Sequence, residues 1–594
     1  MLLGRVFLKP YNKMRRFVRC LLALLMLMTV GKVAAQERMV DRASAYASQV
    51  LYGDVTRGGD VKLLYDSSLF GTRADAEPTF YVFTKSDGRG FAVISGDITI
   101  QPLLAYSTTS IMPCGAAMPP CFEGWLRYVD RAVTYARSLH DTANDHNIEL
   151  WNEGYVPQNA IMLNTARWSQ TEPYNLQCPL DDGVPSMTGC TQTAVAVIMH
   201  YYRWPERAYG VTEPYTTYTN SIDVPSRDLN HAYDWDNMLE TYVEGEYNDV
   251  EARAVATLMA DLGHSFSADY GAEGTGAWPN HQALYENYGY SPASYIYVRN
   301  SYSDESWHDM LRRELEAGNP IWYSGYMEDN SGHAFVLDGI DDNNYFHVNW
   351  GWGGYYDGFF EIDALHLGEY EFDYNQCAMI GLVPMRDGII DNWLSMYSSG
   401  IETDAVEFVE GASFSINSIF MSNISVKDFV GQIRVGHCDK SGNRKAWLSD
   451  AVDFSVPSQY YGFVSNVKCE ISEEVKEGDR LRAFYAAAGS DEWFEIRPYT
   501  DGAQWEIVMR YASIASTTSF DYDKSAGVIV VDYDNDVKSA LYQSGAYVED
   551  GVNIVRGKMT INTMRLSPGL QYTVLLVRDN VEEHTFTFTI KKMR

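Results

Sequence analysis

Residues 189–199 read Gly-Cys-Thr-Gln-Thr-Ala-Val-Ala-Val-Ile-Met. A glycine hands the chain to a segment that is apolar on nearly every face, and a helix without a polar stripe is one that a core surrounds. Cys190 therefore stands at the N-terminus of a buried helix. There the unpaired N–H groups and the macrodipole favour an anion and enrich the nucleophilic thiolate. Cysteine is also a frequent core residue, so position alone does not separate a working thiol from a filler. A base elsewhere in the chain has to decide.

Residues 331–339, Ser-Gly-His-Ala-Phe-Val-Leu-Asp-Gly, put His333 at the head of an apolar strand beside a glycine that admits another backbone. Sixteen residues on, after the turn Asp341-Asp-Asn-Asn344 and one more strand, comes Val348-Asn-Trp-Gly-Trp-Gly-Gly354. If the two strands pair antiparallel through that turn, Asn349 returns alongside His333, where its amide oxygen can orient the imidazole and select its tautomer. Cysteine, then histidine, then asparagine is the papain-like order. Upstream, Trp168-Ser-Gln-Thr-Glu-Pro-Tyr-Asn175 offers Gln170, whose amide, with the Cys190 backbone N–H, can donate to an oxyanion.

At these residues the segment from about Trp168 to Pro384 resembles the streptopain family of secreted, papain-like cysteine proteases. The likeness rests on Trp168-x-Gln170 with Pro173-Tyr-Asn175, on Gly189-Cys190 and its helix, and on Leu258-Met-Ala-Asp-Leu-Gly263 with Asp269-Tyr-Gly271. It also rests on Gly332-His-Ala-Phe335 and on His347-Val-Asn-Trp-Gly-Trp-Gly-Gly354. The resemblance implies Cys190 as nucleophile, His333 as base and acid, Gln170 as oxyanion donor, and Asn349 with Trp350 as supports of the imidazole. Phe91 to Ser107 resembles that family's inhibitory propeptide, which makes the chain's own first domain a partner of its active site. Leu367-Gly-Glu-Tyr-Glu-Phe372 departs from the family's Gly-rich loop.

The rest of the chain fits an exported zymogen. Arg15, Arg16 and Arg19 precede the apolar run Cys20–Val30, and Val33-Ala-Ala35 supplies small residues for cleavage, so residues 1–35 read as a signal peptide. No segment approaches the 18 apolar residues of a membrane-spanning helix. Residues 36–152 combine a hairpin (Phe80–Thr84 and Phe91–Ser95) with a helix over Trp125–His140 and a polar linker, Asp141–Glu149. Residues 153–386 mix helices and strands. Beyond Pro384 short alternating strands recur between turn residues, giving a β-sandwich over 387–512 and a further β-domain over 513–594. Leu566-Ser-Pro-Gly569 through Lys592 resembles the sorting domain read by type IX secretion machinery. The expected fold class is α+β: a papain-like cysteine protease domain preceded by an α+β inhibitory prodomain and followed by two β-sandwich domains.

Composition excludes some classes. The 79 acidic against 46 basic side chains give a net charge of −33, which repels phosphate backbones and argues against a nucleic-acid partner. No His-Glu-x-x-His or Cys-x-x-Cys occurs, and Asp532-Tyr-Asp-Asn-Asp536 lacks the glycine and glutamate of a calcium loop. No metal or cofactor is expected. Without Cys20 the mature chain holds seven cysteines, an odd number that leaves one thiol over. Cys114 with Cys121, and Cys438 with Cys469, could pair within their domains. Two other readings stay open on the residues alone: a transglutaminase-like acyltransferase using the same nucleophile and base, and a non-enzymatic surface protein binding through its β-domains.

Overall fold

The computed structural model describes residues 39–591 apart from 54–58, 72–76, 114–117, 139–144, 158–159, 327–331, 363–375, 387–391, 406–407, 499–500, 510–516, 536 and 579–581. The signal peptide, the Leu367–Phe372 departure and a pairing of Cys114 with Cys121 fall outside what it describes.

The expected hairpin forms from Phe80–Lys85 and Arg89–Ser95, with Phe80 opposite Ser95 and Thr84 opposite Phe91. Almost every residue of both strands is buried. The reason is that the sheet is covered on both faces, so the two side-chain sets of a strand enter two different cores. Phe80, Val82, Phe91 and Val93 meet Phe122, Leu126, Val129 and Val133 of the helix Pro120–Ser138. Tyr81, Phe83, Ala92 and Ile94 meet Ala43, Tyr46, Ala47 and Val50 of the helix over 39–52.

Half of the polar stretch read as a linker is helical. Asp145–Glu153 forms a helix because Trp151, just beyond that stretch, anchors it. Its indole is buried, packs on Tyr46 at 5.6 Å and donates to the Ile100 carbonyl at 2.9 Å.

One antiparallel sheet runs through the first domain and the catalytic segment. Its order is Val61–Asp66, Phe80–Lys85, Arg89–Ser95, Leu103–Ile111, Gly358–Phe360, Phe346–Asn349, Gly332–Asp341, Ile321–Tyr326, Cys377–Ile380, Tyr295–Val298. The seam lies where Phe359 faces Tyr106 and Phe360 faces Ala105. It is reinforced where Tyr106 donates to Asp341 at 2.8 Å and Tyr155 donates to the same carboxylate. The helix Cys190–Tyr202 packs on this sheet and on the helix Asp249–Ser265, which starts in a capping box between Asn248 and Glu251.

Beyond residue 392 the described residues form strands and turns, apart from a short 3-10 turn at Thr563–Arg565. A four-stranded sheet (Leu394–Thr403, Ser413–Asn423, Tyr461–Glu470, Arg497–Pro498) faces a six-stranded one built on Phe429–Cys438 and Arg480–Ala487, around Ile416, Ile419, Ile433, Leu481 and Tyr485. Two further four-stranded sheets close over Val531, Leu541, Ile561 and Val574. Cys438 and Cys469 are not paired. They lie on different sheets as buried free thiols, pushed by burial up to about 11 and about 12.

Candidate active site

The turn into the Cys190 helix requires glycine. Gly189 has φ +93°, and a Cβ there would stand 2.5 Å from Gln192 Oε1 and 2.9 Å from the Thr275 carbonyl oxygen. The helix that follows is buried from Thr191 through His200, as its sequence demands, and is held from the first turn by Thr193 N–H donating to the Gly189 carbonyl at 3.0 Å. Its N-terminus opens on the head of the strand Gly332–Asp341, which carries His333.

Among the described cysteines, one thiol is tuned downward. Cys178, Cys377, Cys438 and Cys469 are all pushed to about 11 or 12, chiefly by burial. Burial acts on Cys190 in the same direction. A hydrogen bond and the charge of His333, with the backbone N–H groups of Ala334 and Thr191, outweigh it and hold the sulfur below its ordinary value. An odd cysteine count was therefore a weak signal, because several thiols are free and only environment separates them.

His333 Nε2 lies 3.1 Å from the Trp350 carbonyl oxygen. Trp350 is buried, with Phe335 at 4.8 Å, Phe360 at 5.2 Å and the His333 ring at 6.5 Å. Asn349 is not alongside His333. The two strands do pair antiparallel, but even with a register shift between Leu337 and Gly339 that moves it one residue nearer, Asn349 falls opposite Val336, short of His333. Its amide nitrogen donates to Thr165 Oγ1 and to the Ala166 carbonyl, each at 2.9 Å, and its Oδ1 accepts from Gly351 N–H at 3.1 Å. The side chain expected on the imidazole is thus replaced there by a main-chain oxygen.

Gln170 is buried and lines, with Cys190, Ala334, Asn349 and Trp350, a narrow cavity behind the sulfur. Trp168 fixes this approach: fully buried, it donates from Nε1 to the Leu239 carbonyl at 2.8 Å, and the Gln170 carbonyl accepts from Thr188 N–H at 3.1 Å. In front of Cys190 and His333 opens a cleft of about 410 Å³ lined by Thr275, Gly276, Ala277, Trp278, Trp322 and Ser324. Trp278 is half exposed and rests on Trp322 at 5.8 Å, while Trp322 Nε1 and Ser324 Oγ are buried without hydrogen-bond partners among the described residues. Such a trough fits an extended chain with apolar side chains and spare main-chain hydrogen bonds.

The sequence reading missed the groups behind this surface. Asp357 Oδ1 accepts the Trp350 N–H at 3.0 Å. His347 Nδ1 meets Asp338 Oδ1 at 2.5 Å, and Thr165 Oγ1 donates to the other oxygen of Asp338 at 2.5 Å. Burial of a carboxylate is the only clue to such residues, and one sequence does not display it. The first domain reaches the same loop: Phe122 packs 5.0 Å from Tyr356 and 6.5 Å from Trp350, and the Ile111 carbonyl accepts from Tyr356 N–H at 3.3 Å.

Residues 168–360 match the Peptidase C10 family, and residues 41–133 match the Spi protease inhibitor family. The chain is 32% identical over 336 residues to streptopain of Streptococcus pyogenes, covering 51% of this chain and 80% of that protein. It is 26% identical over 447 residues to the thiol protease/hemagglutinin PrtT of Porphyromonas gingivalis, covering 71% of this chain and 50% of that one. Among solved structures, a Prevotella intermedia prointerpain A fragment aligns at 30% identity and a TM-score of 0.45, over 55% of this chain and 98% of the fragment. Active interpain A aligns at 32% identity and a TM-score of 0.34, over 39% of this chain and all of that one.

Proposed function

The chain belongs to the Peptidase C10 family, that of streptopain, and is a cysteine endopeptidase made as a zymogen; on that premise we propose how its own residues divide the chemistry. Cys190 attacks the scissile carbonyl as the thiolate. His333, which holds the proton the thiol has lost, gives it to the leaving amine and then deprotonates the water that hydrolyses the thioester. Gln170 and the Cys190 N–H receive the negative charge that develops on the carbonyl oxygen. The Trp350 carbonyl steadies the imidazole from its far side, and Asn349 acts on that carbonyl rather than on the ring. The observation that carries this reading is the one lowered thiol among the described cysteines, beside an imidazole, at the floor of a cleft. The acyltransferase and non-enzymatic readings draw no support from the family match.

The division of labour extends along the chain in the same proposal. Residues 1–35 direct export, 36–152 restrain the enzyme, 153–386 carry catalysis, and 387–512 with 513–594 form two β-domains. The last of these addresses type IX secretion machinery through Leu566–Lys592. The protein acts outside the cell on protein or peptide substrates, and its acidity keeps it from nucleic acid. Among the described residues no helix is long and apolar enough to cross a membrane.

The test is to incubate the purified zymogen, under reducing conditions, with an unfolded protein, with and without a thiol-directed epoxide and beside a Cys190→Ala variant. Cleavage that both the epoxide and the substitution abolish is expected. Cleavage by the alanine variant within tenfold of wild type overturns the assignment of the nucleophile.

A further inference from the structure

Between Asn349 and Asp357 the chain reads Asn-Trp-Gly-Trp-Gly-Gly-Tyr-Tyr-Asp. Gly351, Gly353, Gly354 and Tyr356 all have positive φ, at 73°, 68°, 86° and 66°. Three glycines in six residues give a backbone with many accessible conformations. Yet the carbonyl of its second residue has to sit at hydrogen-bond distance from His333. Something has to fix the two peptide planes that meet at the Trp350 Cα.

Each plane has one side-chain anchor. The plane after Trp350 contains both the Trp350 carbonyl and the Gly351 N–H, and the latter donates to Asn349 Oδ1 at 3.1 Å. The plane before it carries the Trp350 N–H, which donates to Asp357 Oδ1 at 3.0 Å. Asp357 is 5% exposed, so the bond is shielded from competing water, and either member left alone would be a buried polar group without a partner.

We infer that Asp357 is a positioning residue for His333: its buried carboxyl fixes the Trp350 backbone and thereby aims the Trp350 carbonyl at the imidazole. The inference rests on the proposed role of His333. Asp357 sits at the far end of the glycine-rich loop from Trp350, directly before the strand Gly358–Phe360, so it also closes the loop onto the sheet. His347, Asp338 and Arg167 are the charged groups around it. Burial pushes its carboxyl up to about 7, opposed by His347, by the Trp350 N–H and by Arg167, and reinforced by Asp338. Both the protonated and the ionised carboxyl keep an oxygen that can accept from Trp350, so what the position demands is an acceptor of this length rather than a charge.

That demand separates the variants. Asp357→Asn keeps an acceptor oxygen in place; Asp357→Ala removes it and orphans the Trp350 N–H. In enzyme matured from the full chain, D357A is expected to lose roughly 10- to 100-fold in kcat, the scale on which a misplaced catalytic group costs rate, with KM within twofold, while D357N stays within threefold of wild type. The pH profile of Cys190 alkylation by iodoacetamide should move to higher pH in D357A and stay in place in D357N, because an imidazolium that loses its carbonyl partner stabilises the thiolate less. A change of fold stability alone would not move that profile. If D357A gives no cooperative melt, Asp357→Ser, which shortens the group, is read in its place. Wild-type kcat and alkylation profile in D357A or D357S overturn the inference, as does a D357N variant impaired as much as D357A. Alkylation is read on the thiol directly, so it still tests Asp357 if wild-type enzyme proves to hydrolyse nothing, a result that would sink the proposed function instead.

Discussion

His333 Nε2 and the carbonyl oxygen of Trp350 lie 3.1 Å apart, so the group behind the imidazole belongs to the main chain and no side-chain substitution deletes it. Its direction can be changed only through what holds the loop.

Asn349 is the first place to see this. Replacing it by alanine removes the donor to Thr165 and Ala166 and the acceptor for Gly351, leaving buried polar groups unpaired. The expected cost is about 1 to 3 kcal/mol of stability, read as a lower urea midpoint, together with a fall in kcat. Lost activity with an unchanged midpoint would return the side chain to the imidazole itself.

Gln170→Ala should act on the transition state. With one of the two proposed oxyanion donors gone, kcat is expected to fall by roughly 10² to 10³ while KM changes little. Steady-state kinetics on a short peptide measures both. An effect confined to KM would make Gln170 a substrate contact.

The thiol of Cys190 is held below its ordinary value against the effect of its own burial, first by the hydrogen bond and charge of His333 and then by Ala334 and Thr191. Thiolate therefore persists to lower pH than in a free cysteine, and activity on the acid side disappears as pH falls through that lowered value. The midpoint of iodoacetamide alkylation should lie below that of a free thiol and rise in His333→Ala. A midpoint insensitive to that substitution would dissolve the proposed ion pair.

His231 offers a stability test of opposite sign. The fully buried Asp261 carboxylate accepts from His231 Nε2 and Tyr233 Oη, each at 2.8 Å, and from Arg227 Nε at 2.5 Å. The hydrogen bond to Asp261 leads the causes that raise His231 above its ordinary value, against burial. A folded-state value above the unfolded one stabilises fully below the unfolded value, about 6.5, and that increment is lost as pH rises through the raised value. Thermal melting of His231→Gln should thus fall short of wild type by more at pH 5.5 than at pH 9. An equal deficit at both would show that the ring contributes only as a neutral hydrogen-bond donor.

How far the sequence foretold this arrangement depends on the range of the forces involved. Cys190 was legible because helix-start electrostatics and an all-apolar helix are local, and the Phe80–Ser95 hairpin because its turn and its apolar runs are adjacent. Asn349 was misplaced because register is not local. The turn at Asp341–Asn344 and the shift between Leu337 and Gly339 together set Asn349 against Val336, leaving His333 beyond the end of its partner strand. The helix at Asp145–Glu153 was missed for a similar reason: its stability comes from Trp151 docking on Tyr46, some hundred residues earlier. Asp357 gave no sign at all, since an aspartate after two tyrosines reads like any loop residue until the fold buries it.

The seam between Leu103–Ile111 and Gly358–Phe360 has a further consequence once the first domain is gone. Four strands leave the eleven-stranded sheet, and a strand that was interior becomes a boundary with free N–H and C=O groups. Such boundaries invite other chains to add themselves and are a common start of aggregation. This one is three residues long. Its brevity gives an incoming strand too few hydrogen bonds to nucleate on, so the mature protease carries its own protection against self-association at the place where maturation exposes it.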